Sequence, residues 1–183
     1  MATKTKTLKL DLGAGQRPTE GFQSVDMNSE ADHQVNLFAF PWPFEDNSVR
    51  EVVSNHLVEH IPHYRPEYEG RDGWDLFFAE LHRICRKGAK ITFTHPYCKS
   101  DRAFWDPTHT RYIHELTWYY LDRSWREMQG LEHYFGDYDF EVVLIEAPVR
   151  DDLLTRNPEY QAQAREREWN STGDLLVTLK VRK

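Results

Sequence analysis

Two glycines and an acid carry the first chemical signal in this 183-residue chain. The run Leu8-Lys9-Leu10-Asp11-Leu12 breaks into Gly13-Ala14-Gly15, and a second short run ends in Val25-Asp26-Met27. In an open α/β sheet, glycines after the first strand let the backbone approach a ligand. An ionised acid ending the second strand can accept hydrogen bonds from both hydroxyls of a ribose. The pattern therefore points to an adenosine-containing cofactor, with Asp26 as the ribose acceptor. A dinucleotide fits poorly, because Pro18 stands where the third glycine of its fingerprint belongs and only ten residues separate Gly15 from Asp26. No Gly-Lys-Ser or Gly-Lys-Thr ending is present to cradle a polyphosphate.

A second concentration of reactive side chains lies between His95 and His114, where three His, two Asp, two Arg and four aromatics fall within twenty residues. That density is unusual for a plain connector, and loops carry function when a scaffold positions them. Here His109 is the leading general base, since an imidazole titrates near working pH, with Asp106 to orient it. His95, Tyr97 and Arg111 are candidate contacts for an acceptor. The plainer alternative is that Asp106 caps a turn, His109 fills a hydrogen-bonding slot and Arg111 pairs with an acid. His56, Glu59 and His60 form a further cluster, spaced to share one helical face, with His56 a second candidate base. Alternatively, Glu59 and His60 only fix a loop. No metal is expected: His56 and His60 could be joined by His95, Cys98, Asp101 or His109, but these match no compact ligand motif, and Pro62 shortens any helix there.

Leu10-Asp11-Leu12-Gly13-Ala14-Gly15 and Val25-Asp26-Met27 resemble the first motif and the ribose-binding acid of the class I S-adenosylmethionine-dependent methyltransferases. Pro43 to Ser48 with Val52 to Ile61 resembles the family's fourth-strand segment. Phe78 to Ile84 with Lys87-Gly88-Ala89 resembles the helix and turn before its fifth strand. Asp106-Pro107-Thr108-His109-x-Arg111 resembles a segment of some small viral and bacterial members, and an acid-histidine pair is common where Glu59-His60 stands. The resemblance covers roughly residues 8 to 95, with its motifs in the family's order. It implies a single-domain Rossmann-like α/β fold, 1-183, with a mostly parallel seven-stranded sheet whose last strand is antiparallel. Residues 1-95 would form the cofactor half and 96-183 the substrate-facing half. It also implies S-adenosyl-L-methionine as cofactor, held by Asp11, Gly13, Ala14, Gly15, Asp26, Met27, Leu37 and Asn55. At Asn36, where the family commonly has an acid for the adenine amino group, an amide stands instead; Arg17 could reach the methionine carboxylate or simply be a solvated loop residue.

The expected activity is methyl transfer to oxygen or nitrogen of a small polar or sugar-type acceptor. The alternatives are an enzyme that cleaves S-adenosylmethionine, a non-catalytic module on the same fold, and a nucleic-acid methyltransferase. A formal charge of −7 without a basic stripe weighs against the last. Thr94-His95-Pro96-Tyr97 resembles the Asn-Pro-Pro-Tyr signature of amino-DNA methylases but follows the fifth strand rather than the fourth, and the fourth lacks a Pro-Cys. Two isolated cysteines, no apolar run of membrane-span length and no secretory core in Met1 to Lys6 lead to an expected cytoplasmic location, the host cytoplasm for a viral member.

Several elements must position these groups. Strands are expected at Leu8 to Leu12, Ser24 to Met27, Glu51 to Ser54, Ala89 to Thr94, Phe140 to Ile145 and Leu175 to Val181. The turn-rich Gln16-Arg17-Pro18-Thr19-Glu20-Gly21 predicts that the first crossover helix is shortened or missing. From Asp72, a good N-cap, Trp74, Phe77, Phe78, Leu81, Ile84 and Cys85 recur at helical spacing, with Arg86 and Lys87 in the last turn and Gly88 as the stop. Thr117 is expected to cap a helix reaching, with a break, to Gly130. Asn157-Pro158 opens a polar helix ended by Ser171-Thr172-Gly173.

Overall fold

The computed structural model describes residues 7–183; Met1 to Lys6, where the absence of a secretory core was read, lie outside them. Seven strands form the main sheet: β1 (Leu8–Leu12), β2 (Gln23–Asp26), β3 (His33–Gln34), β4 (Val49–Asn55), β5 (Cys85–Pro96), β6 (Asp139–Glu146) and β7 (Asp174–Arg182). Their order is β3-β2-β1-β4-β5-β7-β6. The pairs from β3 across to β5 are parallel, whereas β7 runs antiparallel to both β5 and β6. Helices α1 (Gly73–Ile84), α2 (Arg123–Gln129) and α3 (Pro158–Arg167) complete the regular structure, with short 3-10 turns and a two-residue ribbon, Tyr64–Arg65 against Arg71–Asp72.

The step from β1 to β2 is made in ten residues, 13 to 22, by turns alone, as the turn-rich sequence predicts. Parallel neighbours usually need a helical crossover. Here one carboxylate ties the link: buried Asp11 accepts a 2.7 Å hydrogen bond from the Thr19 amide. No α-helix occurs among the described residues before α1.

Helix α1 starts as expected, with Asp72 accepting from the Trp74 amide at 2.7 Å. Gly73 is required there, because a Cβ would meet the Pro62 carbonyl oxygen at 2.2 Å. The far end departs from expectation. The helix stops at Ile84, and Cys85 already pairs with Val49 as the first residue of β5. Arg86, Lys87 and Gly88 belong to an irregularity where the register jumps from Val49–Cys85 to Glu51–Lys90, and Gly88 supplies its positive φ of 77°. Burial of Cys85 in the sheet outweighs the helical period that had claimed it.

The aromatic stripe of α1 is core. Phe78 meets Phe93 at 5.8 Å, Phe140 at 5.9 Å and Trp118 at 6.0 Å between ring centroids. Burying each such ring is worth about 1.5–3 kcal/mol. Trp118 reaches this core from a 3-10 helix, Glu115–Leu121, capped by His114 Nδ1 rather than by Thr117; the Thr117 hydroxyl instead accepts from the His114 amide. Asp122 then starts α2 and Gly130, at φ 68°, ends it. Asn157 caps α3 as expected, but the helix ends at Arg167, short of Ser171.

Candidate functional site

Strand ends bring the glycine bend and its acid together. Gly13, at φ 72°, donates to the Val25 carbonyl (2.8 Å), and the Leu57 side chain approaches to 3.1 Å of where its Cβ would lie. Gly15 donates to Asp26 Oδ2 (3.0 Å), and the Asn28 amide donates to Oδ1 (2.9 Å). The Asp26 carboxylate is thereby oriented against the bend by two backbone amides, each oxygen keeping a free lone pair. Ala14 lies in this turn, its carbonyl accepting from Arg17, and Asn55 is exposed at the end of β4, two strands from Asp26.

The remaining residues expected at the cofactor take the following places. Asp11 is buried and occupied by Thr19, so it shapes the loop from below. Leu37 packs in the main core, Met27 is exposed just beyond β2, and the Asn36 side chain accepts from the Phe38 amide (2.9 Å) in a local turn.

At the end of β4 the chain turns sharply. His56 takes φ 53°, a left-handed conformation uncommon for a residue with a side chain. The single 3-10 turn Val58–His60 follows, so His56, Glu59 and His60 do not share a continuous helix face. His56 and Glu59 still meet, with Nδ1 3.3 Å from Oε1. The His56 ring is 42% exposed and its Nε2 stands 3.9 Å from Asp174 Oδ2 at the start of β7. Contact with the Glu59 carboxylate raises the imidazole above its ordinary value, against the opposing effect of burial. Arg102 holds Asp174 with a 2.7 Å ion pair. Asp174 and Arg102 had no local sequence signal as partners: Asp174 follows His56 by more than a hundred positions and is brought near it by the pairing of β7 with β5, which itself pairs with β4.

The segment after β5 is stitched onto the loop after β4. The Thr110 and Arg111 amides both donate to the Glu59 carbonyl, at 2.9 and 3.0 Å. The Arg111 guanidinium, expected to hold an acceptor, instead donates to the carbonyls of Ile61 and Pro62 and to Asp72 Oδ1 (2.7, 3.0 and 2.7 Å), over the Trp74 ring. Nε and Nη2 are thereby committed to the fold, whereas Nη1 has no hydrogen-bond partner among the described residues. His95 also leaves the acceptor role: it is fully buried, with Nδ1 on the Pro96 carbonyl and Nε2 accepting from Trp118 Nε1. Tyr97 is nearly buried on the wall of an open groove of about 1010 Å³ shared with Lys99, Glu115, Arg165 and Glu166; burial and the Glu115 carboxylate push its hydroxyl up in pKa.

His109 is close to its assigned partner but not bonded to it. Nδ1 contacts the Ala103 carbonyl at 3.0 Å, and Nε2 stands 4.0 Å from Asp106 Oδ2. Asp106 is committed through Oδ1 to the Thr108 amide and hydroxyl (2.8 and 2.6 Å), which hold its carboxyl below the usual range. His109 is therefore a packed, largely covered ring, edge-on to His60 at 4.8 Å, while the half-exposed His56 occupies the strand end. Outside these groups, Phe104 stacks on Tyr112 at 4.4 Å and lies 5.7 Å from Trp169, all three exposed. Sequence reading marked the density around Phe104 and Tyr112 but not Trp169, which arrives from beyond α3 and is fixed by its Nε1 donating to Asp101 (2.6 Å).

No protein-family model matches the chain, and no curated protein matches it in sequence. Solved structures do match in fold. An S-adenosylmethionine-dependent methyltransferase from Archaeoglobus fulgidus superposes with a TM-score of 0.60 at 18% identity, covering 96% of this chain and 87% of that one. One from Methanosarcina mazei gives a TM-score of 0.54 at 14% identity, covering 98% and 94%. The YcgJ protein of Bacillus subtilis gives 0.52 at 12% identity, covering 98% and 93%. Strand order, the antiparallel β7 and these likenesses together identify the architecture as the Rossmann-like fold of the class I S-adenosylmethionine-dependent methyltransferases.

Proposed function

We propose that the chain binds S-adenosylmethionine at the Gly13–Gly15 bend and transfers its methyl group to oxygen or nitrogen of a small polar or sugar-type acceptor, with His56 as the proton acceptor. The observation that carries the reading is the Asp26 carboxylate, held by the Gly15 and Asn28 amides at the carboxyl edge of the sheet with a lone pair free on each oxygen. Ligands of open α/β sheets bind at that edge. Ribose hydroxyls donating to Asp26 would orient the adenosyl group. The sulfonium, when bound, supplies both methyl and leaving group, so the protein's own work is alignment and proton removal.

His56 suits the second task better than His109. It stands at the end of β4, its ring is half-exposed, and buried Glu59 faces one nitrogen, increasing its basicity. The exposed rings of Phe104, Tyr112 and Trp169 offer a stacking surface for a flat or sugar-like acceptor, and the groove beside Tyr97 carries charges of both signs. The formal charge of −7 favours such an acceptor over nucleic acid.

The test pairs calorimetric titration with S-adenosylhomocysteine and incubation with methyl-labelled S-adenosylmethionine. The proposal expects one site per chain and label transfer that depends on an added pool of small polar metabolites. Consumption of cofactor without acceptor would establish a cleaving enzyme instead. Absence of binding would mark a non-catalytic module, and label appearing only in DNA or RNA would move the acceptor to nucleic acid.

A further inference from the structure

Glu59, His60 and His109 come from two loops that the sequence keeps fifty residues apart, yet one ligand atom from each lies within 4.8 Å of the other two. We infer that these three side chains bind a divalent first-row transition ion, with zinc as the representative. The inference does not depend on the methyl-transfer reading.

The carboxylate supplies the first reason. Glu59 is 1% exposed, and neither of its oxygens accepts a hydrogen bond among the described residues; His56 Nδ1, 3.3 Å from Oε1, compensates the charge only when its imidazole is protonated. A buried carboxylate without directed partners loses its hydration without replacement, which is strongly unfavourable. A cation bound to it offsets that loss.

The histidine tautomers supply the second reason, independently. A carbonyl can only accept, so His109 Nδ1 must carry the proton it shares with the Ala103 oxygen. His60 Nδ1 lies 3.3 Å from the Thr108 carbonyl and 3.1 Å from the Thr108 hydroxyl. That hydroxyl gives its own proton to Asp106 Oδ1 at 2.6 Å and so can only accept from the ring. Both imidazoles therefore keep Nδ1–H turned to protein oxygen and leave the Nε2 lone pair free. Metal-binding histidines are oriented in this way, the second nitrogen donating to a carbonyl or similar acceptor. The shell is itself braced: the Thr110 and Arg111 amides fix the Glu59 backbone, and Asp106 holds Thr108.

Two imidazoles and one carboxylate form a donor set suited to zinc or to manganese, iron, cobalt and nickel, and unsuited to calcium or magnesium. Donor atoms around a tetrahedral zinc lie about 3.3 Å apart, so binding needs a contraction of at most about 1.5 Å between any two of them, within reach of side-chain torsions. Three protein donors leave a fourth position for water or an exogenous oxygen. Asp106 Oδ2, 4.0 Å from His109 Nε2, is the nearest additional carboxylate oxygen the geometry offers.

The experiment uses full-length protein stripped with a chelator and dialysed. Zinc chloride is titrated by calorimetry, and cobalt(II) is followed by its visible ligand-field absorption. Wild type should take up one equivalent and develop the absorption of a four- or five-coordinate cobalt site. His60→Ala and Glu59→Gln should each weaken zinc binding by more than about 100-fold, and Thr108→Val by about 10-fold to 100-fold through the lost orientation of His60. Circular dichroism identifies any variant that fails to fold, and His60→Ala, altering a partly exposed ring, carries the test should Glu59→Gln do so. Absence of zinc uptake, or uptake equal in wild type and His60→Ala, overturns the inference.

Discussion

Lowering the pH from 7.5 to 5 should destabilise this protein through His95 by an amount the structure allows to be worked out. The ring is fully buried on β5. Trp118 Nε1 can only donate and the Pro96 oxygen can only accept, so the folded state fixes a neutral imidazole with Nε2 as acceptor and Nδ1 as donor. A second proton would face the Trp118 N–H. Burial accordingly holds the His95 pKa down to about 4, against about 6.5 in the unfolded chain. Between these values the unfolded chain binds a proton that the folded one refuses, so stability falls as pH drops through that window and levels off below it. A gap of about 2.5 pKa units at about 1.4 kcal/mol each gives a full loss of about 3.5 kcal/mol, of which about 2 kcal/mol is already lost at pH 5. For a domain of this size that lowers Tm by about 4–8 °C. Urea unfolding at pH 7.5, 6.5, 5.5 and 5, with chelator present, compares wild type with His95→Gln. Glutamine keeps a donor and an acceptor but does not titrate. Carboxylates lose their partners equally in both proteins, so the difference in slope reports His95 alone. Parallel curves for the two proteins would refute the reasoning.

Three further outcomes are expected. Asp26→Ala should weaken S-adenosylhomocysteine binding by about 10-fold to 100-fold, the size of one or two hydrogen bonds to a charged acceptor, and unchanged affinity by calorimetry would remove Asp26 from the cofactor site. His56→Ala should lower the methyl-transfer rate by about two to four orders of magnitude with cofactor affinity nearly unaltered, and a wild-type rate in the labelled-methyl assay would return the base role to another group. Arg111→Ala should cost about 3 kcal/mol, because the Ile61 and Pro62 carbonyls and Asp72 lose a largely buried partner; a thermal melt within 2 °C of wild type, against an expected fall of about 6–12 °C, would show that the guanidinium does not pin the loop.

The residues themselves determined six of the seven strands, the loss of the first crossover helix and the meeting of Gly15 with Asp26, because each is written in neighbouring positions; the two-residue β3, His33–Gln34, carried no such signal. Short apolar runs mark strands, Pro18 and Gly21 mark turns, and a short link leaves Asp26 little choice but to end beside the bend. The aromatic stripe of α1 was legible for the same reason. Its end was not, since helix against strand at Cys85 depends on pairing with Val49, a partner thirty-six positions away.

The roles of the polar residues were decided by tertiary structure. His95, Arg111 and His109 carry chemistry by type, and sequence alone cannot say whether a donor or acceptor is free or already used. Trp118 donates to His95 Nε2, and the Ile61 and Pro62 carbonyls and the Ala103 carbonyl accept from Arg111 and His109. Conversely, Glu59 was marked in sequence beside His56 and His60, but only folding buries it and brings His109 to it, with the proton-bearing nitrogens of His60 and His109 turned to other oxygens. Hydrogen bonding and desolvation depend on which distant groups arrive within about 3 Å, and only the packed chain sets that distance.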